Sequence, residues 1–481
     1  MKQLPALIVL LAAAGSPAPA SAQMFGQMER YELGQRLRRF ELAWQSADGE
    51  RRDKSVPAME AAVSSFFRLQ LATAGRSLDQ AYLNVLAAEP SPAWNWALSQ
   101  RLQVDPLVAD ASETTIRVRL HDFYPSGTPE PTEARIALRV LGADQKTLTE
   151  TRIDVAAARQ GAVWETGPLA QGDHHLVAVL ECEEKPHEFA RVMISRVDRW
   201  QERKTKLAER LSAVRETASP TGLATCEQLL ARLESLGAGR AHEADCPARH
   251  LLETCEGLLE TGGRSERYLG IDRSGDYLLT LSNGRQRVPV RIRVPDRASK
   301  PMPVLLAFHG AGGSENMFFE TYGAGRLVRL GAERGWLVVA PRLGLLGLSM
   351  DCRQMLDVLA EHFPVDRERV FLVGHSMGAV QVVNQVSKVP ESVTAAVALG
   401  GGMSVANADA AKSVPWLVAA GERDFGRRGG QALARGLEAV GADVRWLEVP
   451  NVEHMVVVQA ALDDVFSFLD EASRKTPRAA E

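Results

Sequence analysis

The sequence lacks a surplus of either charge: Lys and Arg number 56 against 60 Asp and Glu in 481 residues. With no basic tail or stripe either, the electrostatic footprint of a nucleic-acid partner is missing. Long apolar runs are also lacking. The run Leu4–Ala14 covers 11 residues, well short of the ~20 a spanning helix needs. Cysteine is scarce: five occur, Cys182, Cys226, Cys246, Cys255 and Cys352, which allow at most two disulfides and leave one thiol over. Three of them fall between Cys226 and Cys255, close enough for one bridge within that segment. His242, Cys246 and His250 recur every four residues, a metal-like spacing. Pro247 breaks the helix that would align them, so no metal or cofactor is expected.

What is present is ordinary globular composition, 45% hydrophobic and 24% charged, which excludes wholesale disorder. The length calls for two or three folded units. Lys2, the short apolar run, Pro17 and Pro19, then Ala20-Ser21-Ala22 form a secretory signal over residues 1–22, cut before Gln23. A secreted or periplasmic protein is expected from it.

From residue 23 to about 100 the period is helical. Leu33, Leu37, Phe40 and Trp44 recur at three and four, as do Phe66, Leu69 and Thr73. Ser77 is read as the head of a further helix that Pro90 stops. Between 108 and 197 the period changes to two. Ile116, Val118 and Leu120 alternate with polar residues, then Ile136, Leu138 and Val140, then Arg152–Val155, Leu176–Leu180 and Ala190–Ser195. Short strands at this spacing predict a small β-sandwich, similar to immunoglobulin-like modules. Residues 198–262 are helical again, with Trp200, Leu207, Leu211 and Val214 on one face. Gly262-Gly263 marks the boundary of a catalytic domain over 264–472, and 473–481 are read as a disordered tail.

In that last domain strand and helix alternate, which predicts a mostly parallel twisted sheet flanked by helices. Tyr277–Leu281 and Val288–Val294 form an opening antiparallel pair. Val304–Phe308, Leu337–Ala340, Val370–Val373, Ala395–Leu399, Trp416–Ala420 and Val444–Val449 follow. Val370–Val373 runs into Gly374-His375-Ser376-Met377-Gly378. A turn that sharp tolerates only glycine beside the serine, whose hydroxyl is held out at its apex. A serine needs a base, and the base needs an acid to fix its tautomer. His454 is the only histidine after Asp424, and in the order Ser376, Asp424, His454 successive members stand 48 and 30 positions apart. Glu422 and Glu453 are alternatives for the acid. The oxyanion donors are expected at Met377 and in the small-residue loop His309-Gly310-Ala311-Gly312-Gly313, at Ala311 first and Gly312 second. His309 and His375 are read as braces rather than proton carriers.

From about Ser265 to Phe468 the chain resembles the α/β-hydrolase esterases. Within them it resembles the secreted polyhydroxybutyrate-depolymerase-like and feruloyl-esterase-like group, and beyond them the prolyl-oligopeptidase-type peptidases. The H-G-A-G-G loop, the G-H-S-M-G elbow, G-E-R-D and the late His454 carry the resemblance. It implies a Ser376–Asp424–His454 triad acting on a small-molecule or polymeric ester. The chain departs from the group in having Val452, Glu453 and Met455 around the histidine, where an aromatic residue or glycine is frequent. A serine peptidase is the alternative, and a non-catalytic binding protein on a hydrolase scaffold a third reading. Residues 400–413 are too few for a cap, so an open site is expected unless the N-terminal domains cover it. Leu343, Leu345, Leu346 and Leu348 either line an acyl pocket or pack in the core.

Overall fold

The structure, a computed structural model, describes residues 27–86, 89–182, 186–240, 242–270, 272–298, 300–344 and 347–475. The signal at 1–22 and Leu345 and Leu346 therefore lie outside the described residues. Helices α1 (Gln27–Ser46), α2 (Gly49–Phe67) and α3 (Leu71–Leu86) pack together, followed by α4 (Pro92–Leu98). Leu33, Leu37, Phe40 and Trp44 are buried on one face of α1, as their spacing requires. Phe66, Leu69 and Thr73 do not share a helix. The chain reverses at Leu69, which has a φ of 63° and is 55% exposed. The third helix begins at Leu71 rather than Ser77. Packing overrides the local start signal there: Ala74, ahead of Ser77, is buried in one cluster with Leu78, Ala81 and Val85.

Two sheets follow. One joins β1 (Gln100–Asp105), β3 (Thr115–Asp122) and β6 (Ala162–Glu165). The other runs in the order β2 (Val108–Asp110), β8 (His187–Val197), β7 (Gly172–Glu181), β4 (Arg135–Leu141), β5 (Thr147–Asp154). The alternating sets Ile116/Val118/Leu120 and Ile136/Leu138/Val140 face one core. Three details differ from the sequence reading. β1 lies ahead of residue 108, β2 pairs with β8 in parallel, and a short helix α5 (Val155–Gln160) replaces the end of the strand expected to reach Val155. Helices α6 (Trp200–Val214), α7 (Pro220–Gly237) and α8 (Ala248–Glu260) close the same core with Leu207, Leu229, Leu233 and Leu252.

Cys226, Cys246, Cys255 and Cys352 are free thiols. Instead of the expected bridge, Cys226 on α7 and Cys255 on α8 make a thiol hydrogen bond inside the core. Pro247 precedes α8. His250 bonds the Asp276 carbonyl at 2.8 Å and His242 that of Arg232 at 3.4 Å, so the two histidines serve different elements. No group of three metal-binding side chains occurs among the described residues. No described helix is long and apolar enough to cross a membrane.

After α9 (Ser265–Tyr268) comes an eight-stranded sheet built from β9 (Gly275–Ser282), β10 (Arg287–Val294), β11 (Met302–Phe308), β12 (Leu337–Pro341), β13 (Val365–His375), β14 (Ala395–Leu399), β15 (Trp416–Gly421) and β16 (Val444–Val449). Its order is β9-β10-β12-β11-β13-β14-β15-β16, antiparallel at β9–β10–β12 and parallel beyond. β11 shows why its sequence is uniformly apolar: Val304, Leu306 and Phe308 enter the core on one face, Leu305 and Ala307 that on the other. Helices α10 (Arg326–Glu333) and α16 (Leu462–Lys475) cover one face. α11 (Cys352–Ala360), α12 (Met377–Lys388) and α14 (Arg427–Ala439) cover the other, with α13 (Ala408–Lys412) and α15 (Val457–Ala460) as short connections. α16 continues to Lys475, three residues into the stretch read as a tail. The exposed edge of β9 is blunted by α7: Thr225 Oγ1 accepts from Thr280 N–H at 3.0 Å and Thr221 Oγ1 from Ser282 N–H at 3.1 Å.

Candidate active site

β13 and α12 meet at Ser376, whose backbone is held at φ 56° and ψ −113°. A non-glycine residue stays there only when its surroundings over-determine it. They do. A Cβ on Gly374 would lie 2.1 Å from Gly378 O, and one on Gly378 1.9 Å from Phe308 O. The Ser376 amide donates to Leu399 O at 2.8 Å, which ties the apex to β14. Met377 begins α12, so its N–H has no acceptor within the helix.

Asp424 follows β15 and His454 follows β16. His454 Nδ1 donates to Asp424 Oδ1 at 2.7 Å, and the same oxygen accepts from Gly426 N–H at 2.6 Å. Both side chains are buried. The bond places a proton on Nδ1 and leaves Nε2 as the basic nitrogen. The alternative acids are occupied elsewhere. Glu422 accepts from the Asn451 amide at 3.0 Å, and Glu453 accepts from the Met455 and Val456 amides, each at 2.8 Å. Burial pushes the Glu453 carboxyl up to about 7 in spite of those two donors.

Two buried histidines brace the surroundings. His375 Nε2 donates to the His454 carbonyl at 2.9 Å, so its Nδ1 accepts from Tyr322 Oη–H at 2.8 Å. Tyr322 Oη in turn accepts from Gly310 N–H at 3.3 Å. Burial and then His454 push His375 down to about 3, so it stays neutral. His309 Nε2 accepts from Leu343 N–H at 2.9 Å while its Nδ1 donates to Gly310 O at 2.8 Å, and burial pushes it to about 4. Gly310 is thereby committed to bracing, which leaves the amides of Ala311 and Gly312 in the expected loop.

That loop has partners the sequence did not disclose. Glu315, fully buried, bonds Arg232 at 2.7 Å and Arg342 at 2.5 Å. Burial alone would raise its carboxyl, but Arg342 and Arg232 hold it at about 2. Arg30 of α1 donates to Gly312 O and pairs with Glu243 at 3.0 Å. Gly312 has a φ of 75°, and a Cβ there would meet the Phe66 ring at 2.9 Å. Glycine is thus required at 312 both by its conformation and by the approach of α2.

Phe425 stands over His454 with ring centroids 4.0 Å apart and meets Phe67 of α2 edge-on at 5.8 Å. The aromatic neighbour missing from the sequence around His454 is supplied by the residue after Asp424. Leu343 is in the core and Leu348 packs against it, and neither of these two lines the cavity beside Ser376. Ser376, His375 and His454 instead line a cavity of about 130 Å³ whose other walls include the 310–314 loop, the segment from Asn316 to Tyr322, Glu243 and helices α1 to α3.

Residues 304–479 match the alpha/beta hydrolase family. No curated protein matches the sequence. Among solved structures, a thermostable esterase is 18% identical, with 42% of this chain and 63% of that one covered and a TM-score of 0.36. An S-formylglutathione hydrolase from Agrobacterium tumefaciens is 18% identical, with 42% and 96% covered and a TM-score of 0.33. A ferulic acid esterase is 16% identical, with 42% and 99% covered and a TM-score of 0.35. The C-terminal part is an α/β-hydrolase domain. Ser376 stands at the strand-to-helix apex of that domain's sheet, the position at which this fold can present a nucleophile.

Proposed function

We propose that the protein hydrolyses carboxylic esters through an acyl-enzyme at Ser376. The observation that carries this reading is the strained Ser376 facing the same cavity as His454, itself oriented by buried Asp424. Ser376 Oγ attacks the ester carbonyl while His454 Nε2 takes its proton. The amides of Met377 and of Ala311 or Gly312 receive the oxyanion. Collapse expels the alcohol, which takes the proton from His454, and water repeats the sequence on the acyl-enzyme. Asp424 stabilises the imidazolium in each half. An apolar cavity favours esters over peptides, whose backbone polar groups need partners when buried.

Purified protein is tested on p-nitrophenyl acetate and butyrate beside Ser376→Ala, with aminoacyl p-nitroanilides as the peptidase control. Equal ester rates for the two proteins would refute the role of Ser376, and faster anilide turnover would favour a peptidase. We also propose export, supported by Lys2, the apolar run after it and Ala20-Ser21-Ala22. N-terminal sequencing of the mature protein should begin at Gln23, and an intact Met1 would refute it.

A further inference from the structure

The cavity beside Ser376 is closed on its far side by helices from the other end of the chain. Leu33 and Leu37 come from α1, Met59 and Val63 from α2, and Leu78 from α3. All five are buried. The catalytic domain has only a short 400–413 connection and brings no cap of its own. The roof is fixed to the domain beneath it. Arg30 bonds Gly312 O, Gln45 Nε2 donates to Gln459 Oε1 at 2.7 Å and to Gly323 O at 3.1 Å, and Val452, Val456 and Val457 share one apolar cluster with Leu37, Phe40 and Trp44.

We infer that helices α1 to α3 form the acyl-binding pocket, and that the substrates are esters of short neutral acyl groups. This rests on the ester-hydrolase reading above. The size argument is direct: an apolar cavity of about 150 Å³ takes a benzene ring, and this one measures about 130 Å³. It therefore holds an aliphatic acyl chain of about six carbons, or one small ring. The charge balance of the lining favours a neutral acyl group over an anionic one. Two arginines, Arg30 and Arg38, and two glutamates, Glu243 and Glu320, line the cavity, and Arg30 pairs with Glu243 at 3.0 Å. The lining therefore carries no net positive charge to favour a carboxylate.

The test is kcat/KM of the full protein for p-nitrophenyl esters from acetate to decanoate and for a p-nitrophenyl hemisuccinate. The expected rise is about fourfold per methylene up to about six carbons, with a fall beyond. Val63→Phe should lower the hexanoate-to-acetate ratio at least tenfold. Met59→Ala should raise the octanoate-to-hexanoate ratio at least fivefold, and it carries the test alone if the larger side chain prevents folding. An unmoved chain-length profile in the folded variants, or preference for the hemisuccinate over butyrate, overturns the pocket. Fluorophosphonate labelling of wild type, absent in Ser376→Ala, separates the two levels. Labelled protein with an unmoved profile defeats the pocket alone, and protein that is neither labelled nor active defeats the underlying reading and the pocket with it.

Discussion

Asp424→Asn probes the electrostatics of the site without emptying space. In the native protein one carboxylate oxygen receives both His454 Nδ1–H and Gly426 N–H, while Oδ2 is buried without a partner. An asparagine has two choices. With its oxygen at the Oδ1 position it keeps both bonds but buries an unpaired NH₂, at a cost of about 1–3 kcal/mol. Turned over, it donates to Nδ1, moves the imidazole proton to Nε2 and removes the base. Either way the imidazolium formed during attack loses its counter-charge. At an effective dielectric constant of about 20 and a charge separation of about 4 Å, that interaction is about 4 kcal/mol. This corresponds to about 10³-fold in rate, and the tautomer effect extends it towards about 10⁴. The assay is steady-state hydrolysis of p-nitrophenyl butyrate with a parallel thermal melt. The expected outcome is kcat reduced by about 10³–10⁴ with KM little changed, because Asp424 does not touch substrate. A folded variant that keeps a tenth or more of the wild-type kcat would refute the reasoning.

Gly378→Ala places a Cβ 1.9 Å from Phe308 O, so α12 must move away from β11. Destabilisation at the upper end of about 1–3 kcal/mol and loss of fluorophosphonate labelling are expected, and an unshifted melting temperature would refute it. Glu315→Gln leaves Arg232 without its carboxylate and should cost about 3–5 kcal/mol near neutral pH in urea unfolding. The folded-state carboxyl sits at about 2, below the unfolded value of about 4.3. Its stabilisation is therefore present above the unfolded value and is lost as pH falls towards about 2. The gap between variant and wild type should shrink from pH 6 to pH 3, and a constant gap would contradict the ion-pair account.

The sequence by itself determined what depends on neighbouring residues. The period of apolar positions distinguished helix from strand. The glycines at 374 and 378 marked the sharp apex, and the chain order of Ser376, Asp424 and His454 matched strands that end on one edge of the sheet. Local rules failed where packing outweighed them, as at Leu71–Gly75, where burial of Ala74 beside Leu78 and Ala81 continues the helix ahead of Ser77. They failed again for the leucines after Arg342, whose apolar character fits core and pocket equally well; Leu343 proved to be core. Tertiary structure alone decided the rest of the site. Tyr322, Glu315, Phe425 and the roof of α1 to α3 carry no motif, because their roles come from contacts between distant parts of the chain, such as Arg30 with Gly312, 282 residues apart. Backbone geometry at Ser376 is written in five consecutive residues. The shape of the space in front of it belongs to the whole fold.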